Sequence, residues 1–170
     1  MAGGAGGYYL AGKTTPTGDI LSIGPDSVYG YGRQPFYFQW REPKENMLYS
    51  TPKANAFNNS NPYTWTNVPP LLVKAMAATA SSLFLAGPPL VEDEEQAFAT
   101  LNAPQTQTVL NNQAAAFKGS QGGILQVVNN ATGATQASYS VDFLPVWDGM
   151  AAARNSLYLS TQDGRVVCLR

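Results

Sequence analysis

An internal repeat limits what this 170-residue chain can fold into more than any other feature. Residues 71–78, apolar and rich in small side chains, are followed after a short polar break by Leu83-Phe84-Leu85-Ala86-Gly87. Residues 146–153 and then Leu157-Tyr158-Leu159-Ser160-Thr161 reproduce that pattern, down to a Met-Ala-Ala triplet shared at 76–78 and 150–152. A more diverged copy begins with Asp19-Ile20-Leu21-Ser22-Ile23, turns at Pro25-Asp26 and continues as Val28-Tyr29-Gly30-Tyr31. Two further strand signals complete each of the first two units, at 47–51 with 63–67 and at 123–129 with 135–141. The last unit adds only 166–169, joined through a predicted two-residue turn at Asp163-Gly164. Four, four and three strands are therefore predicted.

Four-stranded antiparallel units repeated around an axis are the blades of a β-propeller, so the predicted class is all-β, a propeller segment of about three blades. The last blade lacks its outer strand. The small residues Ala77, Ala78, Ala151 and Ala152 suit innermost strands, where blades crowd the axis. The units divide as 18–68, 69–144 and 145–170, after a Gly-rich, flexible lead-in over 1–17. Residues 92–120 interrupt the second unit without a strand signal. Apolar residues at Phe98, Leu101, Leu110 and Phe117, with acids early and Lys118-Gly119 late, predict a short helical insertion whose apolar side chains turn inward. One or two short helices fit the segment, with Pro104 separating them where there are two.

Composition narrows the chemistry. Only 12% of residues are charged, where roughly 25% is ordinary, and the formal net charge is −1. Such a chain has no field to attract phosphate backbones or anionic lipid, so no nucleic-acid partner is expected. There is no His, which excludes a Ser-His-Asp triad, a His-Glu-x-x-His zinc site and a haem His. The single Cys168 cannot form an internal disulfide. The apolar stretch 68–91 has the length of a membrane span, yet Pro69, Pro70, Pro88 and Pro89 bracket it and Thr79, Ser81 and Ser82 break it. It reads as a buried hairpin, and no membrane span is expected.

Several segments resemble the C-terminal part of large bacterial PQQ-like β-propeller repeat proteins. They are Pro-Leu-Leu-Val-Lys-Ala-Met (70–76), Leu-Phe-Leu-Ala-Gly-Pro-Pro (83–89), Gln-Ala-Ala-Ala-Phe-Lys-Gly (113–119) and Gly-Gly-Ile-Leu-Gln-Val-Val (122–128). Pro-Val-Trp-Asp-Gly-Met-Ala-Ala-Ala (145–153) and Leu-Tyr-Leu-Ser-Thr-Gln-Asp-Gly-Arg-Val-Val-Cys-Leu (157–169) carry the likeness furthest, and 26–33 with 36–41 extend it upstream. The resemblance implies an extracellular or periplasmic protein. It also implies further blades on the N-terminal side or on another protein chain, because propellers close with at least about four. Quinone-dependent dehydrogenases of this kind use a neighbouring-cysteine disulfide, an Asp base and acidic or amide calcium ligands. This chain offers no Cys pair and no such set, so no cofactor and no catalytic residue are assigned. A non-catalytic binding or structural segment is the expected role. The alternative is the C-terminal part of a PQQ-dependent dehydrogenase-like enzyme whose catalytic residues lie elsewhere.

The candidate ligand site is an aromatic run, Tyr29, Tyr31, Phe36, Tyr37 and Trp40, whose rings could stack a carbohydrate or could equally pack the core between blades. Glu92, Asp93, Glu94 and Glu95 suit either calcium or the start of a helix. Lys74, inside an apolar strand, would have its pKa depressed by burial. Asn58 and Asn130 open glycosylation sequons.

Overall fold

The computed structural model describes residues 18–33, 46–53 and 63–170; the lead-in 1–17 lies outside them. They form three antiparallel sheets, each with its strands in chain order. The first comprises β1 (Ile20–Ile23), β2 (Ser27–Arg33), β3 (Asn46–Pro52) and β4 (Trp65–Asn67). The second comprises β5 (Ala75–Ala78), β6 (Ser82–Gly87), β7 (Gly123–Asn129) and β8 (Thr135–Val141), with helices α1 (Glu94–Ala99) and α2 (Pro104–Phe117) inserted between β6 and β7. The third has β9 (Pro145–Ala153), β10 (Ser156–Thr161) and β11 (Val166–Leu169). The expected all-β class and the strand count of four, four and three hold among the described residues.

Alternation of side chains assigns each face of the second sheet to a different neighbour. Leu83 and Leu85 of β6 belong to one buried cluster with Ile20, Tyr29, Tyr31 and Leu48 of the first sheet. Ala86 belongs to another, with Leu157 and Leu159 of the third sheet, and Phe84 packs against it. A strand whose successive side chains are all wanted on one side or the other reads as a continuous apolar run, as 83–86 does. The second sheet is thus a middle layer. The first strands of the three sheets also lie side by side, β1 against β5 and β5 against β9. The Asp148 amide donates to the Lys74 carbonyl at 2.8 Å and ties β9 to the chain entering β5.

Three local expectations need correction. Residues 71–74 are not part of β5, although Leu71 bridges Pro89 and the Leu72 amide donates to the Pro88 carbonyl at 2.9 Å. Prolines at 70, 88 and 89 accept hydrogen bonds but have no N–H to return, so the ladder is one-sided there. Ala151 and Ala152 are exposed, whereas Ala77 is buried. Small side chains are crowded only where a further sheet packs against them, and among the described residues none lies beyond β9. The β10–β11 turn has three residues between the Thr161–Arg165 pair, with Gly164 left-handed at φ 85° and Thr161 Oγ1 bonded to Asp163 and to the Arg165 backbone. A side-chain acceptor one residue earlier widens the predicted two-residue turn to this form.

The longer inserted helix is anchored by an amide, and small rather than large apolar side chains are buried beneath the insertion. Gln113 of α2 accepts from the Val91 amide at 2.7 Å and donates to the Pro89 carbonyl at 3.1 Å, acting as a short strand partner for the chain leaving β6. Pro104 occupies the first turn of α2, as its fixed φ favours. Phe98, Leu101 and Phe117, expected to turn inward, remain substantially exposed, while Ala97, Thr106, Gln113 and Ala116 are buried. Small side chains let the helices sit close, and that leaves the large rings at the margin.

On the outer strand of the first sheet, Trp65 lies against the β7–β8 turn, its Nε1 donating to the Asn130 carbonyl at 3.0 Å. Gly133 in that turn has φ 75°, and a Cβ there would come within 2.5 Å of the Trp65 ring. Gly133→Ala is therefore expected to cost about 1–3 kcal/mol of unfolding free energy through strain and overpacking. Urea denaturation should show a smaller loss for the same substitution in a Trp65→Ala background, since only the backbone strain then remains.

Candidate functional site

Of the aromatic run, Tyr29 and Tyr31 lie among the described residues. Tyr29 and Tyr31 are core residues, 6% and 3% exposed, and neither ring offers a face to solvent. The Tyr29 ring stacks on Trp65 at 6.3 Å, and the Tyr31 hydroxyl donates to the Leu71 carbonyl at 3.3 Å. Both point from β2 toward the middle sheet because period-2 alternation places them with Leu48 rather than with solvent. Phe36, Tyr37 and Trp40 lie outside the described residues.

Other candidates resolve into structural roles. Asp93 caps α1, its Oδ1 accepting from the Gln96 amide at 2.9 Å, as an acidic residue at a helix start favours. Among the described residues, no three His, Cys, Asp or Glu side chains gather as a metal site would require. Asn130 uses its side-chain nitrogen to donate to the Thr79 carbonyl at 3.1 Å, so a glycan at that atom would displace a tertiary bond. The other sequon, at Asn58, is outside the described residues. Lys74 is half-buried, with Nζ 5.6 Å from the centroid of the Phe117 ring. Burial pushes its pKa below the usual lysine value.

A cleft of about 920 Å³ opens between the second and third sheets. Phe84, Leu125, Val127, Tyr139 and Val141 form one wall and Ala152, Leu157 and Leu169 the other. It continues outward from the buried cluster shared by the two sheets, where Leu125 and Leu157 already touch that core. Its mouth is set by two hairpin turns, 79–82 and 153–156, together with Arg170 at the end of β11. Arg154 and Asn155 reach that rim because both adopt left-handed backbone, φ 52° and 58°. Arg154 and Arg170 make the mouth basic, and no acidic residue lines it.

Apolar walls with a polar, cationic rim suit the capture of an apolar group carrying a negative charge at one end. The cleft's polar lining consists of hydroxyls, the Asn155 amide and the guanidinium groups of Arg154 and Arg170. The sequence reading missed this site. Its walls come from positions between 79 and 170, and no local motif marks them; the only available signal was Tyr139, an aromatic ring within the polar run Thr135-Gln136-Ala137-Ser138-Tyr139-Ser140. No protein-family model matches the chain, and no curated protein is significantly similar to it.

A smaller depression of about 240 Å³ lies between the helices and the segments that hold Leu72 and Leu90, edged by Phe98, Leu101 and Phe117. Lys74 stands beside it through its contact with Phe117. Because the folded state lowers the Lys74 pKa, it pays a penalty for the charged amine that is present at neutral pH and is relieved as pH rises toward the unfolded value of 10.5. Lys74→Met should therefore stabilise the chain at pH 7, and its advantage over the wild type should shrink as pH approaches 10.5. Paired urea titrations at several pH values check the sign.

Proposed function

We propose that this chain is a non-catalytic binding or structural segment of a PQQ-like β-propeller, completed by another protein chain or by further blades in an extracellular or periplasmic assembly. The observation that carries this reading is the arrangement of the first strands. β1, β5 and β9 lie side by side while each sheet runs outward from them in chain order, which is how blades radiate from an axis. Ala77 is buried between neighbours whereas Ala151 and Ala152 are bare, as expected of a stack with an open end. The hydroxyl and guanidinium groups of the cleft suit association rather than acid and base work.

An open stack should not remain alone in solution. Sedimentation velocity of the isolated 18.2 kDa chain is expected to show concentration-dependent association; a compact monomer across the whole concentration range would overturn the reading. The binding role also predicts that the chain mixed with PQQ and calcium emerges from gel filtration without quinone absorbance. A stoichiometric quinone signal would instead favour the dehydrogenase-like alternative.

A further inference from the structure

The depression beside the helical insertion shares no residue with the cleft. Leu72, Leu90, Ala97 and Leu110 contribute to its apolar lining. The segments that carry Leu72 and Leu90 are held together where the Leu72 amide donates to the Pro88 carbonyl and the Leu90 amide to the Pro70 carbonyl, at 2.9 and 3.0 Å. Gln113 also lines it, but its amide is already engaged with the main chain at Val91 and Pro89. Around the opening, Phe98, Leu101 and Phe117 are 50, 46 and 41% exposed. Single exposed apolar residues need no explanation, whereas three large ones gathered at one opening mark a place of contact. Lys74 supplies charge at the margin. Its amide donates to the Ala86 carbonyl at 2.9 Å and its carbonyl accepts from the Asp148 amide at 2.8 Å, so the base of the side chain is fixed. Nζ lies 5.6 Å from the centroid of the Phe117 ring. Among the described residues the ion pair present is Arg165 with Asp163, and no carboxylate neutralises this half-buried ammonium. Burial lowers its pKa, as expected of a charge that has lost water without gaining a counter-ion.

We propose that this depression binds a small aryl carboxylate, with the ring among Leu72, Leu90, Phe98 and Leu110 and the carboxylate on the Lys74 ammonium. The volume suits one ring with a short chain, since a cavity of about 150 Å³ lined by Leu, Ile and Phe side chains holds benzene. Phe98 and Phe117 border the space, and an aromatic guest meets their rings edge to face or offset. The carboxylate takes the place of the water that Lys74 has lost, while Phe117 continues to face the same ammonium. Glu92 also lines the depression, and its carboxylate repels a second negative charge, so a monoanion is the form selected. The site goes beyond the assembly reading and operates whether or not the chain associates.

The test is equilibrium dialysis of the full chain against phenylpropanoate, phenylpropanol and phenylpropylamine, together with reductive methylation of lysines read by peptide mass mapping. Phenylpropanoate is expected to bind about fivefold or more tightly than the alcohol, with the amine weakest. It should slow methylation of Lys74 but not of the exposed Lys118. Lys74→Met should bind the acid and the alcohol alike. Phe98→Ser/Leu101→Ser alters only exposed side chains, so the fold is retained, and it should weaken both ligands about threefold or more. Arg154→Gln/Arg170→Gln should leave binding unchanged. Absence of saturable binding in the millimolar range, or an unaltered preference for the acid in Lys74→Met, would overturn the proposal. So would tighter binding of the amine, which would put Glu92 rather than Lys74 in charge of the site, and loss of binding in Arg154→Gln/Arg170→Gln, which would move the ligand to the cleft.

Discussion

Burial of the middle sheet on both faces is the constraint on which the rest of the structure depends. β6 sends Leu83 and Leu85 to the first sheet and Phe84 and Ala86 to the third. A slip of one residue in its pairing with β7 would exchange the two sets and put bulky leucines where Ala86 now meets β10. Fully burying Leu83 and Leu85 contributes about 1.5–3 kcal/mol each relative to exposure. The register of β6 therefore fixes where both neighbouring sheets dock and where the cleft opens between β8 and β11.

Uncharged polar groups do the work that ion pairs perform elsewhere. Prolines flanking β5 and β6 remove amide donors, and the chain compensates with Gln113, which supplies both a donor and an acceptor to the segment 89–91. Asn129 accepts from the Ala131 and Thr132 amides to hold the β7–β8 turn, and that turn in turn receives Trp65 and Asn67. Amides and hydroxyls satisfy buried backbone groups at a lower desolvation cost than carboxylates or ammonium groups. The low charge content thus belongs to how the sheets are joined as well as to what the chain could bind.

The candidate site was only partly legible. The aromatic run drew attention by composition, yet an aromatic residue carries the same local signal whether its ring faces a ligand or a neighbouring sheet. Tyr29 and Tyr31 proved to be core because β2 turns that face toward Leu83 and Leu85. The cleft went unread for the opposite reason: Tyr139, Leu157 and Leu169 are unremarkable singly, and their proximity depends on how two sheets diverge. Asp93 shows the same ambiguity settled by a single bond, since its carboxylate caps a helix.

The sequence by itself determined the elements and their succession. Alternating apolar residues, the turn residues Gly133 and Gly164, the prolines and the internal repeat act over a few neighbouring positions, so the strands of four, four and three and a short helical insertion could be placed from local pattern alone. Only the tertiary structure decided which faces were covered. Ala77 and Ala151 occupy like places in the repeat, but one is buried and the other exposed because, among the described residues, the second sheet has a neighbour on each side and the third has one only. Trp65 and Tyr139 are likewise both aromatic residues on outermost strands, one closed over by a turn and one open to solvent. Exposure is a property of what packs against a residue, and that neighbour lies far away in sequence.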